Sequence, residues 1–433
     1  MTKNGSRQLP DGMHSVALGA GDLNGILRGK RIPATYWEQA SEHGIALSAA
    51  IFAIDMTSDI WDTPYCNMET GYHDCHMFPV GDVVPLPWEE GVGFCFGRVE
   101  ESHGAPVPID PRGVLIDVLE RASTMGFEVT IGSELEFHLL DPQTRRPRDT
   151  GIQVYSLTRA AELDHVVGPI RRHLDAIGIP VEQSNPEYAA GQVEVNIAYD
   201  EALVTADRSV VFRSMVKQIA HAHGYLATFM AKPLKGEAGN GFHLHHSLWR
   251  EGQSVFHGQD GALSPPGRHY LAGIQGRMAE ISLAGSTTPN AYRRRRPDSF
   301  CPINNAWGYD NRSAALRVIG HSPRTMRIEV RDGAADCNPY YLIAAQIAAG
   351  LDGIERQLEP TAPCMGNAYE SPGHEPLPIT IDDAIARARA STFLADLLGD
   401  DRLTILISQA ERERDLVADD ITAVEIDRYL GNF

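Results

Sequence analysis

The sequence predicts an α+β fold with a small first domain and a larger second one. Residues 1–105 lack long helical patterns and carry short apolar runs between glycine and proline turns, which is typical of a small mixed sheet. The middle of the chain contains segments that alternate polar and apolar residues, as half-buried strands do. The last third has the pattern of amphipathic helices. A chain of 433 residues has room for two domains, and the proline-rich segment 102–108 is the expected boundary between residues 1–105 and 106–433.

Turn and helix signals place the elements of the first domain. A short helix is predicted over residues 33–44, because a glycine closes it, and strands are predicted over residues 46–55 and 91–99. Between those strands, His73-Asp-Cys75-His76, with Cys66 upstream, offers zinc-type ligands. The spacing matches no common zinc-finger pattern, so we predict a loop without metal.

The second domain begins with a helix that Asp110 caps, that has Pro111 at its first position and that Gly126 ends. Strands are predicted over residues 127–140, 179–182 and 227–230. Further helices are predicted over residues 158–177, 201–223, 267–284, 338–358, 381–398 and 401–428.

Composition argues against several classes of partner. A formal net charge of −19 disfavours nucleic acid and anionic membrane surfaces. We expect no membrane span, because no run of about 18 apolar residues exists, and no signal peptide, because no apolar run follows the N-terminus. The six cysteines form no CxxC pair, so reduced thiols and a cytoplasmic location are expected.

The stretch Gly239-Asn-Gly-Phe-His-Leu-His-His-Ser247 has the pattern of a glycine turn that runs into a strand. Its glycines are expected to give the turn access to positive φ angles. Because side chains alternate across a strand, His243, His245 and Ser247 share one face, where a ligand or metal would explain them. One core histidine beside one surface histidine would produce the same pattern.

Carboxylates recur on the polar faces of two other predicted strands. Glu134 and Glu136 lie on one face with Cα atoms roughly 7 Å apart. Glu194 lies on a second polar face, and Glu187 arrives from the turn before it. Carboxylates that share a face repel each other unless a cation or water lies beside them. An edge strand with a hydrated face is the alternative for the first pair.

Arginines alternate with an acid in a fourth segment, where Arg327, Glu329 and Arg331 share one strand face. Guanidinium groups suit carboxylate and phosphate oxygens, often two at a time. A cross-strand ladder of salt bridges is the alternative. The run of arginines at residues 293–296 precedes this segment, in an otherwise acidic chain.

Together these strand faces supply five carboxylates and one imidazole, from Glu134, Glu136, Glu187, Glu194, Glu329 and His243. Such a set suits Mg²⁺ or Mn²⁺ better than zinc or copper, and the number of ligands suggests two or more ions. Divalent ions and arginines together are the recurring parts of phosphoryl transfer. The sequence has neither a GxxxxGK[ST] loop nor a dinucleotide fingerprint, so an ATP site would have to be built on the strands.

With these motifs in order, the chain resembles the glutamine synthetase family from about Asp22 to Tyr429. The motifs are Gly132-Ser-Glu-Leu-Glu136-Phe, Glu187-x6-Glu194 with Gly191-Gln192, the Gly239 to Ser247 stretch, Asn311-Arg-Ser, and Arg327-Ile-Glu-Val-Arg331. The resemblance implies an N-terminal β-grasp domain and a catalytic domain with an antiparallel sheet flanked by helices. It also implies a dodecamer of stacked rings with active sites between subunits, and a reaction through γ-glutamyl phosphate.

The resemblance implies roles for matching residues. Ligands of a first metal ion would be Glu136, Glu187 and Glu194, and ligands of a second ion would be Glu134, His243 and Glu329. The nucleotide would lie near His245, Ser247, Arg317, Arg324 and Arg327. Glutamate and the acyl phosphate would lie near Gly239, Arg294, Arg312 and Arg331.

Three departures from the family pattern concern the nucleophile and glutamate. Phe300 stands in the flap where glutamine synthetases carry an acidic residue that handles ammonium, and Ala238 stands where they carry an asparagine. The family's Asp-Gly-Ser-Ser motif becomes Asp55-Met-Thr-Ser58, which leaves Asp55 as the candidate to contact the amine from a neighbouring subunit. A turn aspartate without such a role is the alternative.

These features predict an ATP-dependent, Mg²⁺- or Mn²⁺-dependent ligase that joins glutamate to an organic primary amine. Polyamines, ethanolamine, short alkylamines and anilines all remain open as substrates. The alternatives are an ordinary glutamine synthetase that uses ammonium and a non-catalytic structural member of the family.

Overall fold

Two β-sheets organise the computed structural model, which describes residues 8–102, 104–151 and 154–432. The first sheet has the strand order β2-β1-β5-β4-β3, and its strands are β1 (Ser15–Gly21), β2 (Leu27–Pro33), β3 (Ile45–Ser48), β4 (Asp74–Pro85) and β5 (Val92–Glu101). It is mixed, because β1 pairs parallel with β5 while its other pairings are antiparallel. Helix α1 (Trp37–His43) buries Trp37 in the core of this sheet.

The second sheet has the strand order β12-β13-β14-β10-β6-β8-β7, with β11 beside β10 and β9 beside β6. Its strands are β6 (Glu128–Leu140), β7 (Val181–Pro186), β8 (Gln192–Glu201), β9 (Leu226–Thr228), β10 (Phe242–Arg250), β11 (Gln253–Ser254), β12 (Trp307–Tyr309), β13 (Leu316–Ile319) and β14 (Arg327–Val330). The pairings are antiparallel except for the parallel pair β12–β13. Strand β10 therefore lies between β6 and β14, and these three strands bring the predicted site residues into register.

Helices cover the apolar face of the second sheet, except the last of the helices named next, in which no residue is buried. They are α2 (Pro111–Thr124), α3 (Leu157–Ala176), α4 (Ala202–Ala222), α5 (Pro265–Arg277), α6 (Pro289–Tyr292), α7 (Pro339–Glu355), α8 (Ile381–Ala390), α9 (Thr392–Ala418) and α10 (Ala423–Tyr429). Leu135, Val195 and Leu244 of the sheet join one apolar core with residues of these helices. Since Leu135, Val195 and Leu244 alternate with polar residues along their strands, the opposite face of the sheet is left for polar side chains.

Helix α9 connects the two parts of the chain, because its residue Ile405 is fully buried in the core of the first sheet. The division near residue 105 stays a prediction. No helix in the described part of the chain is both long and apolar enough to cross a membrane.

Several predicted elements need correction. The strand predicted over residues 46–55 is short, because the Ser48 side chain accepts a hydrogen bond from Ala50 N and starts the 3₁₀ turn Ala49–Phe52. Residues 74–76, predicted as a loop, belong to β4, where Cys75 pairs with β3 and β5.

Two predicted helices also have different bounds. The helix predicted over residues 267–284 ends at Arg277 and is followed by the 3₁₀ turn Ser282–Gly285. The helix predicted over residues 401–428 is two helices, α9 and α10, and α9 itself bends at Gly399, whose φ is 72°.

Candidate active site

The site is built on strand β10 and its two neighbours. In the register with β6, His243 lies opposite Glu134, and in the register with β14, His245 lies opposite Glu329. The alternation of the strand turns His246 to the other face, where it is fully buried between the Tyr270 hydroxyl at 3.0 Å and Gln346 Oε1 at 2.9 Å. His246 is therefore a satisfied core histidine, while His243 and His245 face the carboxylates.

The structure brings the predicted ligands of a second ion together. His243 Nδ1 lies 3.5 Å from Glu134 Oε2 and 3.7 Å from Glu329 Oε1. His245 Nε2 lies 2.9 Å from Glu134 Oε1. Two groups have donor atoms within 4.8 Å of one another, the first being Glu134, Glu194 and His243, and the second being Glu134, His245 and Glu329. The sequence did not place His245 among the ligands, and its position beside Glu134 comes only from the strand register.

Repulsion among the carboxylates fits a site for cations. Burial, followed by the negative charges of Glu134 and Glu136, raises the pKa of Glu194 to about 10. Burial and the charge of Glu136 raise the pKa of Glu187 to about 7. Ionised carboxylates in such an arrangement repel one another, and cations among them favour the ionised forms. Carboxylate oxygens with an imidazole nitrogen are donors that suit hard divalent ions, so the residues present fit the metal ions that the sequence predicts.

One buried amide positions Glu136. Gln192 is 2% exposed, and its Nε2 donates to Glu136 Oε2 at 3.1 Å and to the Gly239 carbonyl at 3.0 Å. Glu136 Oε2 also accepts a hydrogen bond from Gly241 N at 2.7 Å. Gln192 thus couples a predicted metal ligand to the glycine turn, where Gly239 is predicted to lie near glutamate.

The glycines of that turn are required because neighbouring atoms leave no room for a Cβ. The expectation that they have positive φ angles is wrong. Neither Gly239 nor Gly241 has a positive φ. A Cβ on Gly239 would lie 2.5 Å from the Ala231 carbonyl and 2.6 Å from Cγ of Arg294, and a Cβ on Gly241 would lie 2.7 Å from His243 Nε2. Close packing of Arg294 and His243 against the backbone therefore explains both glycines. Arg294 is buried and donates from Nη1 to the Gly333 carbonyl at 2.9 Å.

Two arginines hold Glu329, whose side chain is 1% exposed. Arg331 Nη1 donates to Oε1, and Arg317 Nη1 donates to Oε2 at 3.0 Å. Burial alone would raise the pKa of Glu329, but interactions with its neighbours, first among them the positive charge of Arg331, outweigh burial and lower it to about 2. The salt bridges considered from the sequence are present in part, with Arg317 and Arg331 on Glu329, a predicted metal ligand, while Arg327 takes no part in them. Arg317 also pairs with Asp310.

A hydrogen bond from Arg327 determines which ring nitrogen of His245 acts as the acceptor. Its Nε–H can only donate, and it lies 3.1 Å from His245 Nδ1, so Nδ1 accepts. The ring hydrogen of a neutral His245 is then on Nε2, which faces Glu134. Ser247 lies farther along β10, where its hydroxyl is 2.5 Å from the Thr130 hydroxyl and accepts from Trp249 Nε1 at 3.1 Å.

Other predicted residues lie farther from the carboxylates. Arg312 and Arg324 are exposed on turns, and Arg324 makes no hydrogen bond or ion pair within the described residues. Asp55 is 2% exposed, and its Oδ1 accepts from Thr57 N at 2.8 Å and from Asp59 N at 2.9 Å. Its Oδ2 lies 3.4 Å from Arg412 Nε. These contacts are those of a turn aspartate within the chain, and contact with an amine in another subunit stays a prediction.

An aromatic pair lies at the open side of the site. Phe300, with a φ of 56°, is 50% exposed, and its carbonyl lies 3.5 Å from Arg331 Nη2. Its ring centroid is 6.2 Å from that of Tyr188, which is 53% exposed and follows Glu187 in the chain. Tyr155 is a further exposed ring there, and burial, then the charges of Glu187 and Glu194, raise its pKa. Sequence reasoning found Phe300 and missed both tyrosines, although Tyr188 is adjacent to a singled-out glutamate.

Comparison with known proteins supports one family. Residues 108–429 match the family model described as glutamine synthetase, catalytic domain. The chain is 33% identical over 395 residues to glutamate–isopropylamine ligase of Pseudomonas sp, covering 87% of this chain and 86% of that protein. It is 34% identical over 428 residues to gamma-glutamylethanolamide synthetase of Streptomyces coelicolor, covering 96% and 92%. It is also 33% identical over 393 residues to a glutamine synthetase of Thermococcus kodakarensis, covering 87% and 84%.

A solved structure of GmaS in complex with ADP superposes on the whole chain with a TM-score of 0.88 at 30% identity, covering 100% of each chain.

The chain belongs to the glutamine synthetase family. Enzymes of this family are ATP-dependent carbon–nitrogen ligases that use divalent metal ions, and this chain is such a ligase. The family resemblance and the α+β fold predicted from the sequence are confirmed.

Proposed function

We propose that this ligase joins the γ-carboxylate of glutamate to an organic primary amine. The observation that carries the proposal is Phe300, which lies beside Tyr188 and Arg331. By the family resemblance, Phe300 matches the flap position where glutamine synthetases carry a carboxylate that handles ammonium. A phenyl ring neither binds ammonium as a carboxylate does nor accepts its proton. The names of two relatives, an isopropylamine ligase and an ethanolamide synthetase, support the same class of nucleophile.

The proposed reaction has two steps. A γ-carboxylate oxygen of glutamate attacks the γ-phosphorus of ATP, which forms the acyl phosphate and releases ADP. The nitrogen of the free amine then attacks the acyl carbon, the bond from carbon to the phosphate oxygen breaks, and the nitrogen loses a proton. The products are a γ-glutamylamide, ADP and phosphate.

Different residues of the site have different roles in these steps. Glu134, Glu194, His243 and Glu329, with Glu136 and Glu187, would hold two or more Mg²⁺ or Mn²⁺ ions, which screen the phosphate and carboxylate charges from each other. Arg294, buried against the glycine turn, and Arg331 would hold glutamate and the acyl phosphate. Positive groups already fixed in place stabilise developing charge without reorganising.

Ring assembly belongs to the same proposal. Subunits would stack in rings, as a dodecamer, with Asp55 of one subunit near the carboxylates of the next. Mixing inactive Asp55→Ala subunits with inactive Glu134→Ala subunits tests this, because a shared site regains activity in the mixed oligomer. A monomer with full activity would contradict the shared site.

The test of the function is phosphate release from ATP with glutamate across a panel of amines that includes ammonium. We expect an organic amine to give the highest kcat/KM. If ammonium is used most efficiently, the chain is an ordinary glutamine synthetase. If no nucleophile in the panel stimulates metal-dependent ATP hydrolysis, the proposed reaction is wrong.

A further inference from the structure

We propose, on the basis of the function above, that Tyr188 and Phe300 together receive the substituent of the amine and select short, uncharged alkyl or aryl groups over charged ones. The preferred nucleophile is thus a primary monoamine and not a polyamine. Tyr188 is the specificity-determining residue that neither the family resemblance nor the departures from it singled out.

The backbone of each of the two residues contacts a predicted site residue, Glu187 for Tyr188 and Arg331 for Phe300. Tyr188 follows Glu187 in the turn between β7 and β8, and its N–H donates to Glu187 Oε2 at 3.2 Å. The Phe300 carbonyl lies 3.5 Å from Nη2 of Arg331, which in turn holds Glu329. A nucleophile bound between these anchors would therefore lie close to the two rings.

The rings have free surface for a ligand. Their centroids are 6.2 Å apart with the planes tilted by 46°, and each side chain is about half exposed. Phe300 keeps this position although its φ of 56° is one that bulky residues rarely adopt. A strained backbone that persists at the edge of a site is typical of a residue whose position matters for function.

The chemistry of the rings favours an uncharged substituent. Each methylene group moved from water onto apolar surface improves binding by about fourfold. An ammonium group over an exposed aromatic ring gains only about two- to fivefold, and it loses hydration in exchange because the rings offer no hydrogen-bond acceptor for it apart from the Tyr188 hydroxyl. A terminal methyl group should therefore be preferred to a terminal ammonium group of the same size.

Propylamine and 1,2-diaminoethane provide that comparison, since they differ by one methyl group in place of one ammonium group. Hydroxylamine serves as a nucleophile without apolar surface. We expect the wild-type enzyme to favour propylamine over 1,2-diaminoethane by about tenfold in kcat/KM. A preference for the diamine would overturn the inference.

Three variants separate the contribution of the Tyr188 ring to amine binding from other effects of a substitution. Tyr188→Ala should raise the KM for propylamine about fourfold or more and leave the KM values for ATP and glutamate and the rate with hydroxylamine unchanged. Tyr188→Phe keeps the ring and should behave as wild type. Tyr36→Ala removes a comparably exposed tyrosine, 62% exposed, from the first part of the chain and is the control.

The outcomes keep the inference distinct from the proposed function. If organic amines remain better than ammonium but Tyr188→Ala changes every nucleophile equally, the inference is wrong and the function stands. If ammonium is best in the wild type, the proposed function itself fails, and the inference fails with it.

Discussion

The two ends of the active site differ in how tightly their side chains are held. At the buried end, Glu329 is paired with two arginines, and Glu136 accepts hydrogen bonds from Gly241 N and Gln192. At the open end, Tyr188 and Phe300 are half exposed and contact each other mainly through their rings. A buried polar network has one arrangement in which its groups are satisfied, whereas an exposed pair of rings can be replaced at little cost to the fold. This contrast suggests that the buried end carries the chemistry common to the family and the open end selects the nucleophile.

The largest effect should come from the buried end. We expect Glu134→Ala to reduce turnover by roughly 10³-fold or more, because Glu134 belongs to both groups of potential metal ligands. Turnover is measured by phosphate release, and Mn²⁺ binding by calorimetry, with thermal melting as the check on folding. A folded variant with normal activity would refute the metal assignment.

Glu134 is a better position for this test than Glu329. Removing Glu329 leaves Arg331 buried without a carboxylate partner and leaves Arg317 paired only with Asp310. Breaking a buried pair typically costs about 3–5 kcal/mol of stability. A loss of activity in Glu329→Ala would then report on folding as much as on metal binding.

Next in size is the loss of Arg331, the positive charge that we propose lies beside the acyl phosphate. Arg331→Ala should lower kcat by roughly 10²-fold, since arginines that meet developing charge contribute on that scale. Metal binding should persist, because Glu329 keeps its contact with Arg317. Near-normal kinetics would mean that Arg331 serves only the salt-bridge ladder.

A smaller effect is expected from the amide that positions Glu136. Gln192→Leu removes the donor to Glu136 Oε2 and to the Gly239 carbonyl while roughly preserving volume. Either the affinity for metal should fall or the KM for glutamate should rise by about 10- to 100-fold, which is the usual cost of losing such a supporting contact. Gln218→Leu, at an exposed position on α4, is the matched control. Equal behaviour of the two variants would contradict the positioning role.

The contrast between the two ends also explains what the sequence could predict. The period of two placed His243 and His245 on one face, and the structure brings them to Glu134 and Glu329. Periodicity carries that information because strand geometry is regular. It does not give the register between strands, so the proximity of His245 to Glu134 and the clamp of Arg317 on Glu329 could be found only from the sheet.

Residues outside the regular pattern were harder to predict. Tyr188 lies in a turn, where an exposed aromatic residue has no periodic signal, and its partner Phe300 is 112 positions away in the chain. Gly239 was singled out for the wrong physical reason, because the packing of Arg294 against it depends on a contact distant in sequence. Sequence reasoning thus reached the family and the strand faces, and it missed what only tertiary packing creates.

The smallest effect concerns the nucleophile and would test the open end directly. Phe300→Glu replaces apolar surface with a carboxylate at the position that the family resemblance matches to the flap acid of glutamine synthetases. If the phenyl ring covers about 60 Å² of the amine, its loss should weaken organic-amine binding by about 1.5 kcal/mol, or about tenfold. The introduced carboxylate offers ammonium an electrostatic partner and a proton acceptor, so the kcat/KM for ammonium should rise. Both residues have a side chain beyond Cβ, so the cost of a φ near 56° is similar in the two proteins.

Phe300→Leu is the control that separates loss of the ring from gain of the acid, because it should weaken organic amines without improving ammonium. The measurement is kcat/KM for propylamine and for ammonium in the three proteins. The outcome that contradicts the division between the two ends is a Phe300→Glu enzyme that keeps the wild-type ratio of these constants. The choice of nucleophile would then lie with the buried carboxylates, and the exposed rings would have no part in it.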